Sequence, residues 1–518
     1  MKPFRLLFSL FLIVLIKFFY KAEGQVRKIE LLNADVSEFD QSVNSRATRL
    51  IGNVMFKHEN AVMRCDSAYL YRDENRMEAY NNVHISQGDS MTLTGNKLIY
   101  SGNTSTAQVY ENVVLSNRTM KLFTTQLDYR MNDETAYYTQ GARIVDGNNT
   151  LTSDLGYFYS ASNDFYFRNN VQLVNPRYNM TCDTLRYNAG SKIAYFLGPT
   201  WIISKENKIY CENGWYDTEK QISSFSKNSF LQAGKQVLKG DSVFYDRNKG
   251  IGYIFNNVSI YDSSAKMMIN GNYGEHHELS DSSWVTGRSL LSNFFEKDTL
   301  FIHADTLLAV GIKNPSDTSR KQHNMFAFHG VKMYKPDLQA DCDSLVYLRS
   351  DSTIRLFTDP VMWSGLNQLK ADSITIETQS GEIRKIHMNQ NAFISSRADT
   401  LQNGPVDSLS FNQIRGKNMT GYFSDNKMNK IDVNGNGQAI YYAKDKNDKN
   451  FAVNRAECSD MIIRVQENKV NEIVLIKLPE GTLYPINELR PGELRLKGFQ
   501  WEDARRPASL EDIFRKNK

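Results

Sequence analysis

The sequence predicts an all-β fold built from repeats, and three observations predict it. Asn, Asp, Ser, Thr and Gly recur at short intervals along all 518 residues, a turn-rich texture that favours strands over long helices. After Pro3 there is no proline until Pro176, as expected where a hydrogen-bonded sheet leaves no room for a residue lacking an N–H. The third observation is a repeat. Residues 81–110 read NNVHISQGDSMTLTGNKLIYSGNTSTAQVY and residues 169–197 read NNVQLVNPRYNMTCDTLRYNAGSKIAYFL, nearly the same pattern twice. At 41% apolar and 12% aromatic content the chain can build a core, so composition excludes wholesale disorder.

The N-terminus comes first. Lys2 and Arg5 precede an apolar run from Leu6 to Ile16, and Ala22-Glu23-Gly24 offers a small-x-small cleavage site. Lys17 interrupts the run short of the roughly 20 residues that span a bilayer. Residues 1–24 are therefore expected to be a cleaved signal peptide, with an uncleaved anchor in the inner membrane as the alternative. These residues hold Lys2, Arg5, Lys17 and Lys21 against Glu23, so +3 of the net +4 leaves with them and the remainder stands at +1. A near-neutral exported chain carries no general nucleic-acid footprint.

The repeat occupies residues 25–290. Asn-Val motifs occur as GNVMF at 52, NNVHI at 81, ENVVL at 111, NNVQL at 169 and NNVSI at 256, with weaker copies from Gly141, Gly198, Asn228, Gly330 and Asp359. A step of about 29 residues is the signature of a repeat architecture. A second column runs through Tyr71, Tyr100, Tyr129, Tyr157, Tyr187, Tyr216 and Tyr245. Apolar partners stand two residues earlier at Tyr69, Leu98, Leu127, Leu155, Leu185 and Val243. Within each unit the residues alternate apolar and polar at a period of two, which reads as two or three short strands. One face carries Val, Ile, Leu, Phe and Tyr, the other Asn, Thr, Ser and charge.

Asp followed by Ser or Thr recurs at Asp66, Asp183, Asp241, Asp343 and Asp372, which marks it as a turn or ladder device rather than a catalytic one. Cys65, Cys182, Cys211 and Cys342 share one column, where they read as small inward residues interchangeable with Thr94. Cys182 with Cys211 is the one pairing worth testing.

Residues 291–329 stretch a unit around Pro315 and read as a junction. Residues 330–480 continue the pattern in degenerate form through Leu345-Val-Tyr347 and Ile374-Thr-Ile376, and residues 397–450, with GPVDS, NGNG and KDKNDKN, read as more loop than strand. Residues 481–518 form a Pro-rich charged tail. Its Leu483, Leu489, Leu494, Phe499, Trp501 and Phe514 predict docking, and Ser509-Leu-Glu-Asp512 predicts a capped terminal helix.

No residues assemble a catalytic or metal motif. Gly88-Asp89-Ser90 and Gly240-Asp241-Ser242 resemble the start of a serine-esterase block but sit in different repeat registers. Glu275-His276-His277-Glu278 has ligand types, yet neighbours on a strand point to opposite faces, and no HExxH or Cys-x-x-Cys accompanies it. No cofactor is expected, and no catalysis.

The Asn-Val turn, the alternating strand and the x-Asp-Ser/Thr-x-x-Tyr element together resemble the OstA-like family, to which belong the periplasmic lipopolysaccharide-transport bridge protein and the N-terminal part of the outer-membrane lipopolysaccharide-assembly protein. The resemblance implies an elongated antiparallel β-jellyroll, or β-taco, whose apolar interior holds acyl chains. It also implies a periplasmic location and lipopolysaccharide as cargo. As partners it implies further transport proteins joined by strand-edge pairing, the outer-membrane assembly barrel included, and self-association. The lining expected on this basis is Val54, Phe56, Val83, Ile85, Leu98, Val113, Leu115, Leu127, Leu155, Val171, Leu173, Leu185, Trp201, Ile203, Val243, Val258 and Ile260. Two other architectures suit the same pattern: a right-handed parallel β-helix, as in adhesins, and a cell-envelope scaffold without lipid cargo. Parallel or antiparallel placement of Leu98 and Leu127 separates helix from jellyroll.

Overall fold

The structure, a computed structural model, describes residues 27–39, 47–88, 91–117, 120–205, 207–312, 322–379, 382–398, 410–425, 427–444, 450–466, 469–486 and 488–515. The expected signal segment and the loop around Pro315 lie outside them. The chain divides into two compact units, Met1–Lys205 and Glu206–Lys518. Among the described residues both units are β-structure, joined in sequence order by hairpins.

In the first unit the strands Thr48–His58, Ala61–Tyr71, Arg76–Gln87, Met91–Ser101, Thr106–Asn117 and Met120–Arg130 each pair antiparallel with the next. Leu98 lies opposite Val109, and Val109 opposite Leu127, so Leu98 and Leu127 stand level across an intervening antiparallel strand. That placement excludes the parallel β-helix. The repeat of about 29 residues is two strands and their two hairpin turns.

The Asn-Val motifs are not hairpin turns. They lie in the middle of strands, at bulges where the pairing register skips, as between Tyr80 and Val83 or Tyr110 and Val113. At each bulge two successive residues take positive φ: Gly52 and Asn53, Asn81 and Asn82, Glu111 and Asn112, Asn169 and Asn170. L-residues resist this left-handed region, and Gly and Asn tolerate it best, which is why those letters recur. Each strand bends there, so its two halves belong to two layers whose apolar faces meet. The Val that follows is the first inward residue past the bend, and Val54, Val83, Val113 and Val171 are all buried.

The recurring Asp completes the corner. Asn53 donates its side-chain amide to Asp35 at 2.8 Å, Asn82 to Asp66 at 2.8 Å and Asn170 to Asp154 at 2.7 Å. In the second unit Asn257 donates to both oxygens of Asp241 at 3.0 and 3.1 Å, and Asn391 does the same to Asp372 at 3.2 Å. Each aspartate is thus fixed to the corner of the following strand, as a ladder device would be. Asp241 of the esterase-like triplet is spent this way. Asp89 and Ser90 of the other triplet lie outside the described residues.

The cysteines occupy the inner elbow of the alternate strands. Their column reads Cys65, Gly95, Thr124, Ser153, Cys182 in the first unit and continues Cys211, Gly240, Gly271, Cys342, Ala371 in the second. A β-carbon on Gly95 would strike Val109, and one on Gly240 would strike Ile254. The elbow admits only small side chains. Thr94 is not the cognate residue; Gly95 is, one position on.

Three expectations are corrected here. NGNG, Asn434–Gly437, is strand rather than loop, a corner inside Lys427–Lys444 with positive φ at Gly435 and Asn436. Phe411–Ser424 and Asn450–Gln466 flank that strand, so the described part of this region is mostly sheet. The outer face is also less polar than predicted. In the first unit Tyr137 stacks on Tyr157 at 5.9 Å, and Arg186 lies 5.7 and 5.4 Å from the rings of Tyr166 and Tyr195. Third, the terminal helix is a single 3-10 turn, Glu511–Phe514. Asp512 accepts the backbone N–H of Ser509 at 2.9 Å as half of the expected capping box, without the reciprocal bond.

The tail packs within the second unit. Leu489, Leu494 and Phe499 cover Phe393, Ile440, Tyr442 and Val453, and Trp501 meets Phe411 at 4.9 Å. Two buried glutamines bind the tail backbone as a strand would. Gln368 donates to the Gln500 carbonyl at 2.7 Å and accepts from Glu502 at 2.7 Å; Gln413 donates to the Leu494 carbonyl at 2.9 Å and accepts from Leu496 at 2.9 Å.

Replacing Asn170 by Val forces a β-branched residue into the left-handed corner and should cost about 1–2 kcal/mol. Asn170→Gly should cost less, since glycine keeps the bend and loses only the exposed bond to Asp154. Urea denaturation of both variants orders them; equal losses would mean that the corner conformation is unimportant.

Candidate functional site

The enclosed face of the first unit is made by the inward residues of both layers. Across the upper layer Met77, Tyr100, Ala107, Tyr129 and Ala136 pair in succession, with Ala107 and Ala136 making room for the two tyrosine rings, and none is more than 1% exposed. Across the lower layer Ile85, Leu93, Leu115, Leu122 and Ile144 form the matching row.

Most of the expected lining falls on this face. Val54, Phe56, Val83, Ile85, Leu98, Val113, Leu115, Leu127, Val171, Leu173 and Leu185 are buried in the first unit, and Val243, Val258 and Ile260 in the second. Three do not. Trp201 is 39% and Ile203 45% exposed, because Gly198 and Pro199 form the corner of Ile193–Ser204 and the inward residues after it are Thr200 and Ile202. A slip of one residue exchanges the two faces of a strand. Leu155 is half-buried for the same reason, with Gly156 and Phe158 inward and Tyr157 exposed. Gly156 is required, since a β-carbon there would strike the Tyr138 ring.

Correcting that slip aligns an inward column missed in the sequence: Tyr100, Tyr129, Phe158 and Tyr187, each 29 residues after the last. These rings stand near the hairpin ends of the upper layer. Three of their hydroxyls reach polar residues at the hairpin ends of the lower layer, along the seam opposite the corners. Tyr100 bonds His58 Nδ1 at 2.7 Å, Tyr129 donates to Gln87 at 2.7 Å and Tyr187 to Asp146 at 3.3 Å. His58 Nε2 faces the Arg27 carbonyl at 3.1 Å, which can only accept, so Nε2 carries the proton and Nδ1 accepts from Tyr100. Burial pushes the phenol pKa of all three tyrosines up and keeps them donors. Beside the closed Tyr129–Gln87 bond, a cleft of about 490 Å³ is lined by Lys57, Glu59, Val62, Gln87 and Met91 of the lower layer and by Glu134 and Ser160 of the upper.

No group of three or more His, Cys, Asp or Glu is arranged to hold a metal among the described residues. His276 is half-buried against Ser283 at 2.8 Å, and its loss of solvent lowers its pKa. Burial also raises the thiols of Cys65, Cys211 and Cys342 to about 12, far from nucleophilic. Among the described residues no helix is long and apolar enough to cross a membrane.

Fold and site together define a class: antiparallel β-proteins whose every strand is bent so that the sheet closes over its own apolar face. Residues 26–183 and 208–286 match the model of the family described as OstA-like protein, and over these residues the chain is an OstA-like protein. No curated protein matches the chain in sequence. Among the solved structures that match is LptH, the LptA-homologous periplasmic component of the lipopolysaccharide transport device of Pseudomonas aeruginosa. It shares 10% identity at a TM-score of 0.17, over 34% of this chain and 92% of that one.

A maleimide at about pH 8 should leave Cys65, Cys211 and Cys342 unmodified in the folded chain and label all three in urea. Peptide mass spectrometry reads the result, and native labelling of any of them would contradict the closed elbow.

Proposed function

We propose that this chain is a non-catalytic periplasmic protein that binds lipopolysaccharide and carries it towards the outer membrane, sheathing its acyl chains between the two layers. The observation that carries the reading is the repetition of one apolar face, bend after bend, in a chain of the OstA-like family. A chain of a dozen carbons gains roughly 0.8 kcal/mol per CH₂ on leaving water, on the order of 10 kcal/mol in all. A lipid with several such chains crosses an aqueous compartment only inside an apolar sheath, and a repeating lining offers no single tight stop. The lining acts as solvent rather than as catalyst.

Partners on this reading are other transport proteins, the outer-membrane assembly barrel among them, joined at open strand edges, with self-association by the same route. In the first unit the short strands Glu30–Asn33 and Val36–Phe39 flank Thr48–His58 and leave Leu32, Val36 and Phe39 exposed. The competing reading is an envelope scaffold, and the closed packing of Leu98 and Leu127 favours it to the extent that no lipid enters.

Photoreactive residues placed at Leu127 and Leu185 in cells should capture lipopolysaccharide, while one at outward Trp201 should not. Capture at neither inward site in a folded protein would leave the scaffold. Leu127→Asp, an unpaired charge in the core, should abolish folding or transport. Normal lipopolysaccharide export in that variant would overturn the lining assignment.

A further inference from the structure

The interior of the first unit is filled, not hollow: Phe56, Leu98, Leu115, Leu127 and Leu185 are 0% exposed. An acyl chain therefore enters only if the two layers part. They cannot part along the corners, where every strand passes covalently from one layer to the other through its bulge. Along the opposite side the layers meet chiefly through side chains, the hydroxyls of Tyr100, Tyr129 and Tyr187 on His58, Gln87 and Asp146; at the first latch the Arg27 carbonyl also accepts from His58 and Asn75, each at 3.1 Å, and at the third Lys192 pairs with Asp146 at 3.2 Å.

We propose that this tyrosine seam is the lateral gate through which acyl chains enter and leave, with the paired left-handed corners as its hinge. The inference rests on the acyl-sheath reading above and adds where and how the sheath opens. The bonds to His58 and Gln87 are neutral and weak net of the water they displace, so these latches hold the resting seam shut yet yield to the larger gain of burying a lipid chain; the bond to the Asp146 carboxylate, which Lys192 also holds at 3.2 Å, is the stronger fastening. The column is also incomplete where Phe158 replaces tyrosine and supplies no hydroxyl. The cleft marks the place where opening begins. Gln87 lines it and also receives the Tyr129 hydroxyl, so releasing one bond extends the cleft directly into the interior. Lys57, Glu59, Glu134 and Ser160 around it are suited to the polar head of an amphiphile and not to its tails, as a portal requires when the chains go in and the head stays out.

The test is a reversible lock in the full-length protein. Gln87→Cys with Tyr129→Cys is bridged across the seam by a bis-maleimide carrying a disulfide in its linker, since these positions meet only through the tips of long side chains and are too far apart for a direct bond; Gln108→Cys with Asp128→Cys, directly opposed within one layer, is bridged in the same way as a control. Uptake of purified, fluorescently labelled lipopolysaccharide is measured on each protein with the linker intact and with it reduced. The gate predicts that the bridged seam pair loses uptake at least tenfold and regains it on reduction, while the control pair takes up lipid equally in both states. The milder Tyr129→Phe, which removes one latch without filling or emptying the core, should speed uptake severalfold. Equal uptake by the bridged and reduced seam pair would overturn the gate and leave the sheath reading intact, with entry from an end. No uptake by the unmodified chain would instead sink the sheath reading, and the gate with it.

Discussion

Everything in this fold depends on the strands being able to bend at the same level, and the bend depends on a backbone conformation that most side chains refuse. A flat two-stranded repeat would leave its apolar face in water, or bury it only against another molecule. A pair of left-handed residues in the middle of a strand folds that face onto itself, and the repeat makes the folds line up. The side chains near the bend then follow from geometry. The outside of the corner has room for an amide and a carboxylate, which bond each other. The inside has almost none, and so takes cysteine, glycine, serine, threonine or alanine without preference for their chemistry. What looks in the sequence like a set of reactive groups, Asp, Ser and Cys at fixed spacing, is the joinery of a corner.

Much of this was legible before any coordinates, because a period of two and a period of 29 are both direct consequences of backbone geometry. The inward residues around Val83, Leu98, Leu115 and Leu127 could be read from alternation alone. The errors cluster where a corner is written in an unusual alphabet. At Gly198-Pro199 a proline stands where the second asparagine is expected, and the expected Trp201 and Ile203 fall one residue out of phase with the inward Thr200 and Ile202. At Leu155-Gly-Tyr-Phe158 an aligned tyrosine, one residue out of phase, disguised Phe158 as its neighbour. NGNG was misread because the residues that permit a corner are those that mark a loop, and only pairing distinguishes the two.

The seam was not legible in the same way. Its partners are some 42 residues apart and lie in different layers, so no local pattern joins them. A signal was nonetheless present: His58, Gln87 and Asp146 are polar residues closing strands whose inward positions are otherwise apolar. Asking what could satisfy a buried imidazole, or a half-buried amide or carboxylate, at those ends would have pointed to the tyrosine column.

Because each repeat is two strands and two turns, it returns the chain to the same side, the same direction and the same face. Adding or deleting one such unit shifts nothing else out of phase; it changes the row of strands by two spacings, about 9–10 Å, and leaves the in-and-out pattern on either side intact. Length in this architecture is thus quantised, and a gene can grow or shrink by whole repeats to match the distance its product must cover. An insertion of a single strand would have no such freedom, since it would send the rest of the chain back the wrong way.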